Sequence, residues 1–479
     1  MFNAIVKAVL AIFVLGYVMI AFEHPLKIDK AAPALLIAVL GWTAYVFGMD
    51  EILVNSGTFL KYVDETFGLP ENYDIAAVIA EHGNHFIVHE LAHHLTHHSE
   101  IIFFLLGAMT IVELIDAHEG FAVITDKITT KNKVKLLWII CILTFFFSAA
   151  LDNLTTSIVM ISLLRKLVAD KKERWFFAGL VIIAANAGGA WSPIGDVTTT
   201  MLWIGTQITA FNVITELFVP SLICILVPLI WLSFTQKGEV ERPVISKEAE
   251  HMRNRTTPFE RNLIFFLGLA LLLFVPVFKT VTHLPPYMGM MFGLGVLWVV
   301  TEVIHRTKNH EVKSELSVIG VLRKIDIVSV LFFLGILIAI SSLQSAGHLT
   351  AMAKILDDTI GDIYAVNIVI GLLSAIVDNV PLVAASMGMY PIVSPEMLAA
   401  FSPADAEYYR HFIQDGNFWE FLAYCAGTGG SALIIGSAAG VAVMGMERID
   451  FIWYMKNMSL FAILGYLAGA AYYVLVIAH

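Results

Sequence analysis

Long, uninterrupted apolar runs are the feature of this sequence that most limits how it can fold. A helix needs about 20 predominantly apolar residues to cross the hydrocarbon core of a bilayer. Several runs approach that length: Ala4–Ala21, Ile264–Phe278, Ile327–Ile340 and Leu460–Ala478. Only 14% of the 479 residues are charged, whereas soluble domains average about 25%. The sequence therefore predicts an all-α polytopic membrane protein.

Charge and cysteine content exclude other classes of protein. The formal net charge is −11, whereas proteins that bind nucleic acids are usually basic. The three cysteines lie far apart in apolar segments, which excludes a disulfide scaffold, and we expect no cofactor. The first apolar segment has no clear cleavage site before Glu23, so we interpret it as a membrane span and not as a signal peptide.

Apolar runs separated by polar breaks predict ten spans, near residues 3–22, 32–49, 101–117, 175–207, 212–235, 262–279, 286–304, 327–345, 418–446 and 458–477. Two further apolar segments do not fit as simple spans. Lysines and arginines flank both ends of 136–164, and basic flanks belong in the cytoplasm, yet these 29 residues are too few to cross twice. We therefore predict a re-entrant hairpin there and, from acidic flanks, a second hairpin at 364–392 that enters from the opposite face.

The distribution of basic residues gives an orientation. One side of the membrane receives 24 of the 29 Lys and Arg residues, and the positive-inside rule makes that side cytoplasmic. Both termini then face away from the cytoplasm, and we expect the protein in the inner (plasma) membrane of a bacterium. In this orientation the polar stretch 50–100 is a histidine-rich extracytoplasmic loop, and 236–261 is a cytoplasmic linker that acts only as a tether.

Short motifs recur in the same order at a spacing near 230 residues. Ser148–Asn153 is similar to Ser374–Asn379, and the glycines at 188, 189 and 195 recur at 429, 430 and 436. We therefore divide the chain into two repeats, 1–235 and 262–479, each with five spans, one hairpin and one interrupted helix. Five crossings are an odd number, so the repeats are inverted relative to each other, an arrangement typical of secondary transporters.

Acidic turns in the middle of both hairpins are the strongest candidates for a functional site. Asp152 and Asn153 lie midway along the first hairpin, and Asp378 and Asn379 lie midway along the second. An ionised carboxylate at bilayer depth costs at least about 2.5–3.5 kcal/mol unless it has a partner, so intramembrane carboxylates are functional by default. The alternative interpretation is that these residues are hydrogen-bonded caps that only stabilise the turns.

Glycine-rich breaks in the spans 175–207 and 418–446 are the natural partners of these turns, because interrupted helices expose backbone carbonyls that need polar neighbours. Close packing through small residues explains the second break well but does not explain Asp196 in the first. Hard oxygen ligands suit Na⁺ or Li⁺. We predict that a cation- and proton-binding site contains Asp152, Asn153, Thr155, Thr156, Asn186, Ser192, Asp196, Thr198, Thr200, Asp378, Asn379, Ser431 and Ser437.

Two other groups of titratable residues leave alternatives open. Glu113, Asp116 and His118 close the third span and are either solvated or part of a proton relay or pH sensor. Seven histidines lie in the segment 82–98, where His89-Glu90-Leu91-Ala92-His93 matches the metalloprotease pattern HExxH. A membrane zinc protease is the remote alternative; pH sensing and a surface helix that lies against the membrane through Phe86, Leu91 and Leu95 are the others.

Three stretches of the chain resemble NhaD-type sodium/proton antiporters of the ion transporter superfamily: Leu106–His118, Asp152–Thr156 and Asn186–Thr200. The resemblance implies exchange of Na⁺ or Li⁺ for H⁺ by an elevator-like alternating-access mechanism. It also implies a homodimer in the lipid bilayer, whose hairpins and interrupted spans form a mobile transport domain. Dicarboxylate symporters of that superfamily have hairpin tips similar to Ser-Asn-Thr, and Asp in place of Ser here favours cation exchange. A cation-coupled carboxylate or arsenite carrier is the alternative.

Overall fold

A computed structural model describes residues 4–69, 72–125, 127–243 and 256–478. Six helices are long and apolar enough to cross a membrane: Lys133–Leu151, Ala210–Thr235, Pro258–Thr282, Pro286–Ile304, Ile327–Ser345 and Ser459–Ile477. Other helices include Ala4–Ala21, Ala31–Phe47, Gly57–Phe67, Ile75–Ala117 and His348–Thr359. In the described ranges, regular structure is helical apart from one isolated bridge between Asn132 and Glu239. The prediction of an all-α polytopic membrane protein is thus confirmed.

Both predicted hairpin segments are pairs of consecutive helices. The first hairpin consists of Lys133–Leu151 and Asn153–Leu167, which pack against each other and meet at Asp152, where φ is +77°. The second hairpin consists of Ile363–Leu373 and Asn379–Met389. Because Lys133–Leu151 alone is long enough to cross a membrane, the depth of the first hairpin stays a prediction.

The two glycine-rich spans are interrupted, as predicted from their Gly and Pro residues. The first interrupted helix consists of Lys171–Ala190 and Val197–Ile204. The second interrupted helix consists of Asn417–Gly429 and Ala438–Glu447, with a short 3-10 turn between them. The chain leaves α-helical geometry at 191–196 in the first break and at 430–437 in the second, so the second part of each helix needs a new N-terminal cap.

The chain forms two compact units, and each contains residues from both predicted repeats. One unit consists of Met1–Ile102, Asp326–Gly361 and Ala384–Pro391. In it, Ala31–Phe47 packs closely on Ile327–Ser345, and Trp42 donates a hydrogen bond from Nε1 to the carbonyl of Ile338. The other unit consists of Phe103–Ile325, Asp362–Val383 and Ile392–His479, and it contains both interrupted helices and both acidic turns.

The prediction of a histidine-rich loop at 50–100 is wrong. Short helices occupy residues 49–67, and Ile75–Ala117 is one helix of 43 residues that carries all seven histidines. The polar composition hides an apolar pattern with helical spacing, in which Ile79, Phe86 and Ile87 are buried. Phe86 packs within the protein, with its ring 5.3 Å from that of Phe59, so the expectation that it lies against the membrane is also wrong.

The predicted linker 236–261 is expected to act only as a tether, but both of its ends make defined backbone contacts or belong to a helix. Val240 donates to the carbonyl of Lys131 at 2.8 Å, and Lys133 donates to the carbonyl of Gly238 at 3.1 Å. The helix Pro258–Thr282 begins inside the predicted linker, because Thr257 and Glu260 form a reciprocal capping box. Residues 244–255 lie outside the described part of the chain.

Candidate cation-binding site

Asp196 is the most completely enclosed carboxylate of the predicted site. It is 1% exposed and forms the N-cap of Val197–Ile204. Its Oδ1 accepts hydrogen bonds from the backbone N–H of Thr198 at 2.9 Å and from the Thr198 hydroxyl at 2.7 Å. Its Oδ2 accepts a hydrogen bond from Asn153 Nδ2 at 2.6 Å. Asp196 therefore joins the first hairpin to the second part of the first interrupted helix.

Two asparagine amides connect the first hairpin to both helix breaks. Besides its bond to Asp196, Asn153 donates to Asn186 Oδ1 at 3.1 Å. Asn186, which is fully buried, donates through Nδ2 to the hydroxyls of Ser431 at 2.9 Å and Ser437 at 3.0 Å. Six of the predicted residues, Asn153, Asn186, Asp196, Thr198, Ser431 and Ser437, thus form one continuous buried network, which includes the second interrupted helix.

The two hairpin aspartates lie near this network. Asp152 is half-buried, and its two oxygens accept hydrogen bonds at 2.8 Å from the backbone N–H and the hydroxyl of Thr155. Asp378 is half-buried at the start of the second helix of the other hairpin, beside the buried Asn379. The charges of Asp152 and Asp378 both act on Asp196. Three carboxylates therefore share one electrostatic environment.

Three other predicted ligands, Ser192, Thr200 and Thr156, show no hydrogen bond to the carboxylates in the described part of the chain. The first two donate hydrogen bonds to backbone carbonyls. The hydroxyl of Ser192 donates to the carbonyl of Ala149, and that of Thr200 donates to the carbonyl of Pro193 at 2.9 Å. Thr156 is buried, and no partner for its hydroxyl is found among the described residues. Ser192 and Thr200 therefore stabilise the break, which the residue types alone did not reveal.

The backbone around the two breaks is built from the same contacts. A Cβ atom on Gly188 would lie 2.2 Å from the carbonyl oxygen of Phe145, and one on Gly429 would lie 2.0 Å from that of Gly371. In both halves a hairpin serine also donates to a carbonyl of the interrupted helix: Ser148 to Ala185 at 2.6 Å and Ser374 to Ala426 at 3.0 Å. Only glycine allows the hairpin to approach each break this closely.

The residues at the end of the third predicted span form a separate group. Glu113 and Asp116 interact electrostatically with Lys324. His118, which follows the helix Ile75–Ala117, is fully buried, and its Nε2 lies 2.9 Å from Nε2 of His305. Burial lowers the pKa of His118 to about 4. The proton-relay or pH-sensing role of these residues stays a prediction.

The HExxH residues lie together on one helix, in the unit that does not contain Asp196. The Glu90 carboxylate accepts a hydrogen bond from the Ser345 hydroxyl at 3.3 Å and lies 3.7 Å from His94 Nε2; His94 and Ser345 lower the pKa of Glu90 against the effect of burial. Across the part of the chain that the structure describes, no group of three His, Cys, Asp or Glu side chains is arranged to hold a metal ion.

Two buried glutamates of the second interrupted helix were missed from the sequence. Glu447 is 3% exposed and pairs at 2.7 Å with both Arg165 and Arg174. Glu420 is also 3% exposed but has neutral partners. They are the two carboxylates of the segment 417–447, and an acidic residue within a predicted span is the signal that could have identified them.

The fold and this site together define a polytopic helical membrane protein with a carboxylate centre between two interrupted helices. Residues 17–404 match the family described as citrate transporter (CitMHS). Sodium/proton antiporter 1 of Arabidopsis thaliana is 45% identical over 98% of this chain and 72% of its own length. Sodium/proton antiporter 2 of the same plant is 42% identical, over 97% and 98%. The Na⁺/H⁺ antiporter NhaD of Vibrio cholerae is 30% identical, over 94% and 87%.

The chain belongs to the citrate transporter (CitMHS) family. The resemblance to NhaD-type sodium/proton antiporters is confirmed by these relatives, and the match extends over nearly the whole chain. Together with the apolar helices, it establishes an integral membrane protein.

Proposed function

We propose that this protein is a secondary active transporter that exchanges Na⁺ or Li⁺ for H⁺ across the membrane. The observation that carries the proposal is the buried Asp196, which contacts Asn153 of the hairpin and shares its environment with Asp152 and Asp378. The three relatives described above are sodium/proton antiporters by name, which supports cation and proton exchange.

The carboxylates keep acceptor capacity for a cargo ion. A carboxylate has about four lone-pair positions. On Asp196, two on Oδ1 and one on Oδ2 are occupied by protein donors, which leaves one position on Oδ2. On Asp152, Thr155 occupies one position on each oxygen. Oxygens of this kind bind either a proton or a hard alkali cation.

Competition between protons and the cation for the same carboxylates produces exchange. Burial and neighbouring like charges both disfavour an ionised carboxylate, so either a proton or a cation at Asp152 and Asp196 offsets that cost. When Na⁺ binds from one side, Asp152 and Asp196 release their protons to that side. After the site becomes accessible from the other side, protons rebind and Na⁺ leaves. Asp378 and Asn379 contribute to the site from the second hairpin.

The repeated contacts at the two breaks support a structure of two inverted repeats, 1–235 and 262–479. In this proposal the hairpins 136–164 and 364–392 are re-entrant from opposite faces, and they move with the interrupted helices in an elevator-like manner. Two copies of the chain form a homodimer, and both termini lie on the extracytoplasmic side, as the basic residues predict.

Proteoliposomes that carry a pH-sensitive dye test the exchange directly. Addition of NaCl or LiCl, but not of an impermeant salt, should change the internal pH. We expect Asp152→Asn and Asp196→Asn to abolish this change. Asn is as good an N-cap as Asp, so both variants should fold. Asp170→Asn is the matched control, because Asp170 also caps a helix but is exposed; it should retain exchange. Exchange retained by Asp152→Asn or Asp196→Asn would refute the site.

The description of the family favours a second candidate, a cation-coupled carrier of citrate or a related carboxylate. Three neighbouring carboxylates make the site unfavourable for an anion, which is why we rank it second, with an arsenite carrier on the same scaffold. Sodium-driven uptake of labelled citrate, succinate or arsenite without a change in internal pH would establish this alternative and exclude exchange.

A further inference from the structure

Glu420 is a buried carboxyl group outside the network around Asp196. It lies in the first turn of Asn417–Gly429 and is 3% exposed. Its Oε1 accepts a hydrogen bond from the amide of Asn212, and its Oε2 accepts one from the hydroxyl of Tyr473 at 2.7 Å. Both donors are neutral, and within the described ranges none of the observed ion pairs includes Glu420.

The charged neighbours of Glu420 are acids. Glu216 on the helix Ala210–Thr235 and Asp415 in the preceding turn both act on it electrostatically. Tyr473 and Tyr364 also face this region; Tyr364 accepts a hydrogen bond from Asn417, and its ring lies 6.1 Å from that of His411. Because burial and like charges both penalise an ionised carboxylate, a proton is the cation that this environment favours on Glu420.

Glu447, at the other end of the same interrupted helix, shows what a structural glutamate in this region requires. It is as deeply buried as Glu420, but two arginine side chains, Arg165 and Arg174, neutralise it. A buried carboxylate without such a partner is expensive. The internal repeat makes the same point, since the position of Glu420 corresponds to Gly179 in the first interrupted helix. The repeated architecture therefore does not need an acid at this position.

Polar side chains lie on the second interrupted helix between Glu420 and the cation site. Tyr424 and Thr428 follow Glu420 at intervals of four residues, and both are buried. Their hydroxyls donate to the carbonyls of Tyr466 and Tyr424, respectively. Ser431 lies one further turn along, and its hydroxyl is hydrogen-bonded to Asn186. Residues three and four apart share a helix face, and eleven residues of helix extend about 16 Å. Hydroxyl groups thus lie along the length of helix that separates the two sites.

We propose that Glu420 is a second proton-binding residue of the exchange cycle, which takes up protons at the start of the second interrupted helix and delivers them towards Asp196. The inference rests on the proposed exchange function and adds a residue through which its protons enter or leave. Glu420 does not bind the cargo cation; it limits the exchange of Na⁺ for H⁺ but not the exchange of Na⁺ for Na⁺.

Two variants of Glu420 separate this role from a purely structural one. In Glu420→Gln, the side chain keeps its size and can still accept from Asn212, while the Tyr473 hydroxyl can rotate to accept from the new amide; only the titration is lost. In Glu420→Asp, the side chain is shorter and its hydrogen bonds are weakened, but it still titrates. A proton-binding role therefore predicts more activity in the Asp variant, and a structural role predicts more in the Gln variant.

The experiment compares two transport modes in the same proteoliposomes. We expect Glu420→Gln to slow NaCl-dependent proton flux about tenfold or more, while counterflow of radiolabelled Na⁺ against unlabelled Na⁺ stays close to wild type. Glu420→Asp should retain proton flux with an altered pH profile. The control is Glu396→Gln, which removes an exposed acid that does not act on Glu420 and should leave both modes unchanged.

Two results would overturn the inference. One is wild-type proton flux and pH profile in Glu420→Gln; the other is loss of counterflow in proportion to proton flux, which indicates a damaged fold or cation site. If wild-type protein itself shows no NaCl-dependent proton flux, the exchange function fails, and this outcome is distinct from a failure of Glu420 alone.

Discussion

The two helix breaks have the same backbone but different side chains. Asp196 and Ser437 occupy matching positions, both with extended dihedral angles: φ is −143° and ψ is 142° at Asp196, and φ is −146° and ψ is 154° at Ser437. Each caps the helix that follows, Asp196 through Thr198 and Ser437 through the backbone N–H of Gly440 at 3.2 Å. A neutral hydroxyl is therefore sufficient for capping, so the charge at Asp196 serves another purpose.

A second pair of matching positions shows where space is left beside that charge. Asn186 in the first interrupted helix extends its amide to Ser431 and Ser437, whereas its counterpart in the second is Gly427. A Cβ atom on Gly427 would lie 4.0 Å from Oδ2 of Asp196 and 3.1 Å from Cβ of Ala190. The absence of a side chain at Gly427 therefore leaves space beside the carboxylate of Asp196.

Substitution of the two caps is the strongest test of this comparison. Asp196→Ser keeps a good N-cap but removes the charge, so we expect NaCl-dependent proton flux to fall about 100-fold or more. Ser437→Ala removes a neutral cap and should cost only about 1 kcal/mol of stability. Proton flux in proteoliposomes and thermal unfolding in detergent give the two readouts. Substantial flux in Asp196→Ser would mean that Asp196 is only a structural cap.

The close backbone contacts predict equal damage in both halves. Gly188→Ala and Gly429→Ala each place a methyl group against a carbonyl oxygen, which costs at least about 1–3 kcal/mol. We expect both variants to give little monodisperse protein in size-exclusion chromatography. A clear loss in one half with none in the other would show that the two breaks are not built alike.

Gly427→Ala should have a smaller and more selective effect. The new methyl group contacts Ala190 and approaches Asp196, so we expect the apparent affinity for Na⁺ to fall about fivefold, the equivalent of roughly 1 kcal/mol. The matched control is Gly445→Ala, since no atom lies within 4 Å of a Cβ built there. Equal affinities in the two variants would contradict the space argument.

The smallest expected effect is on the stability of the protein, and it arises at His118, away from the two helix breaks. The pKa of His118 is lowered by burial to about 4 from its ordinary 6.5, so the unfolded chain binds a proton between these values and the folded protein does not. The contribution of His118 to the free energy of unfolding is therefore fully present above about pH 6.5 and decreases as the pH falls towards 4. The melting temperature in detergent should drop by a few degrees between about pH 7 and pH 5, and less in His118→Gln. An equal drop in both proteins would exclude His118 as the cause.

Much of this architecture could be predicted because glycine, proline and long apolar runs act locally. Both helix breaks follow from such signals, and the hairpin turns at Asp152 and Asp378 follow from the charged flanks of two apolar segments. The helix Ile75–Ala117 could not be recognised, because its seven histidines obscure an apolar face that only packing reveals. Ser192 and Thr200 were predicted as ligands from residue type, but their hydroxyl groups bond to backbone carbonyls. Glu420 became evident only from its burial beside neutral donors.

The bond between Asn153 and Asp196 has a mechanical consequence. It is charge-assisted while Asp196 is ionised, and hydrogen bonds of that kind are roughly twice as strong as neutral ones. Arrival of a hydrogen ion on Asp196 therefore loosens the junction between hairpin and broken helix, and its departure tightens that junction again. Asn186 links this junction to Ser431 and Ser437. The charge of the Asp196 carboxylate therefore affects hydrogen bonds to both interrupted helices.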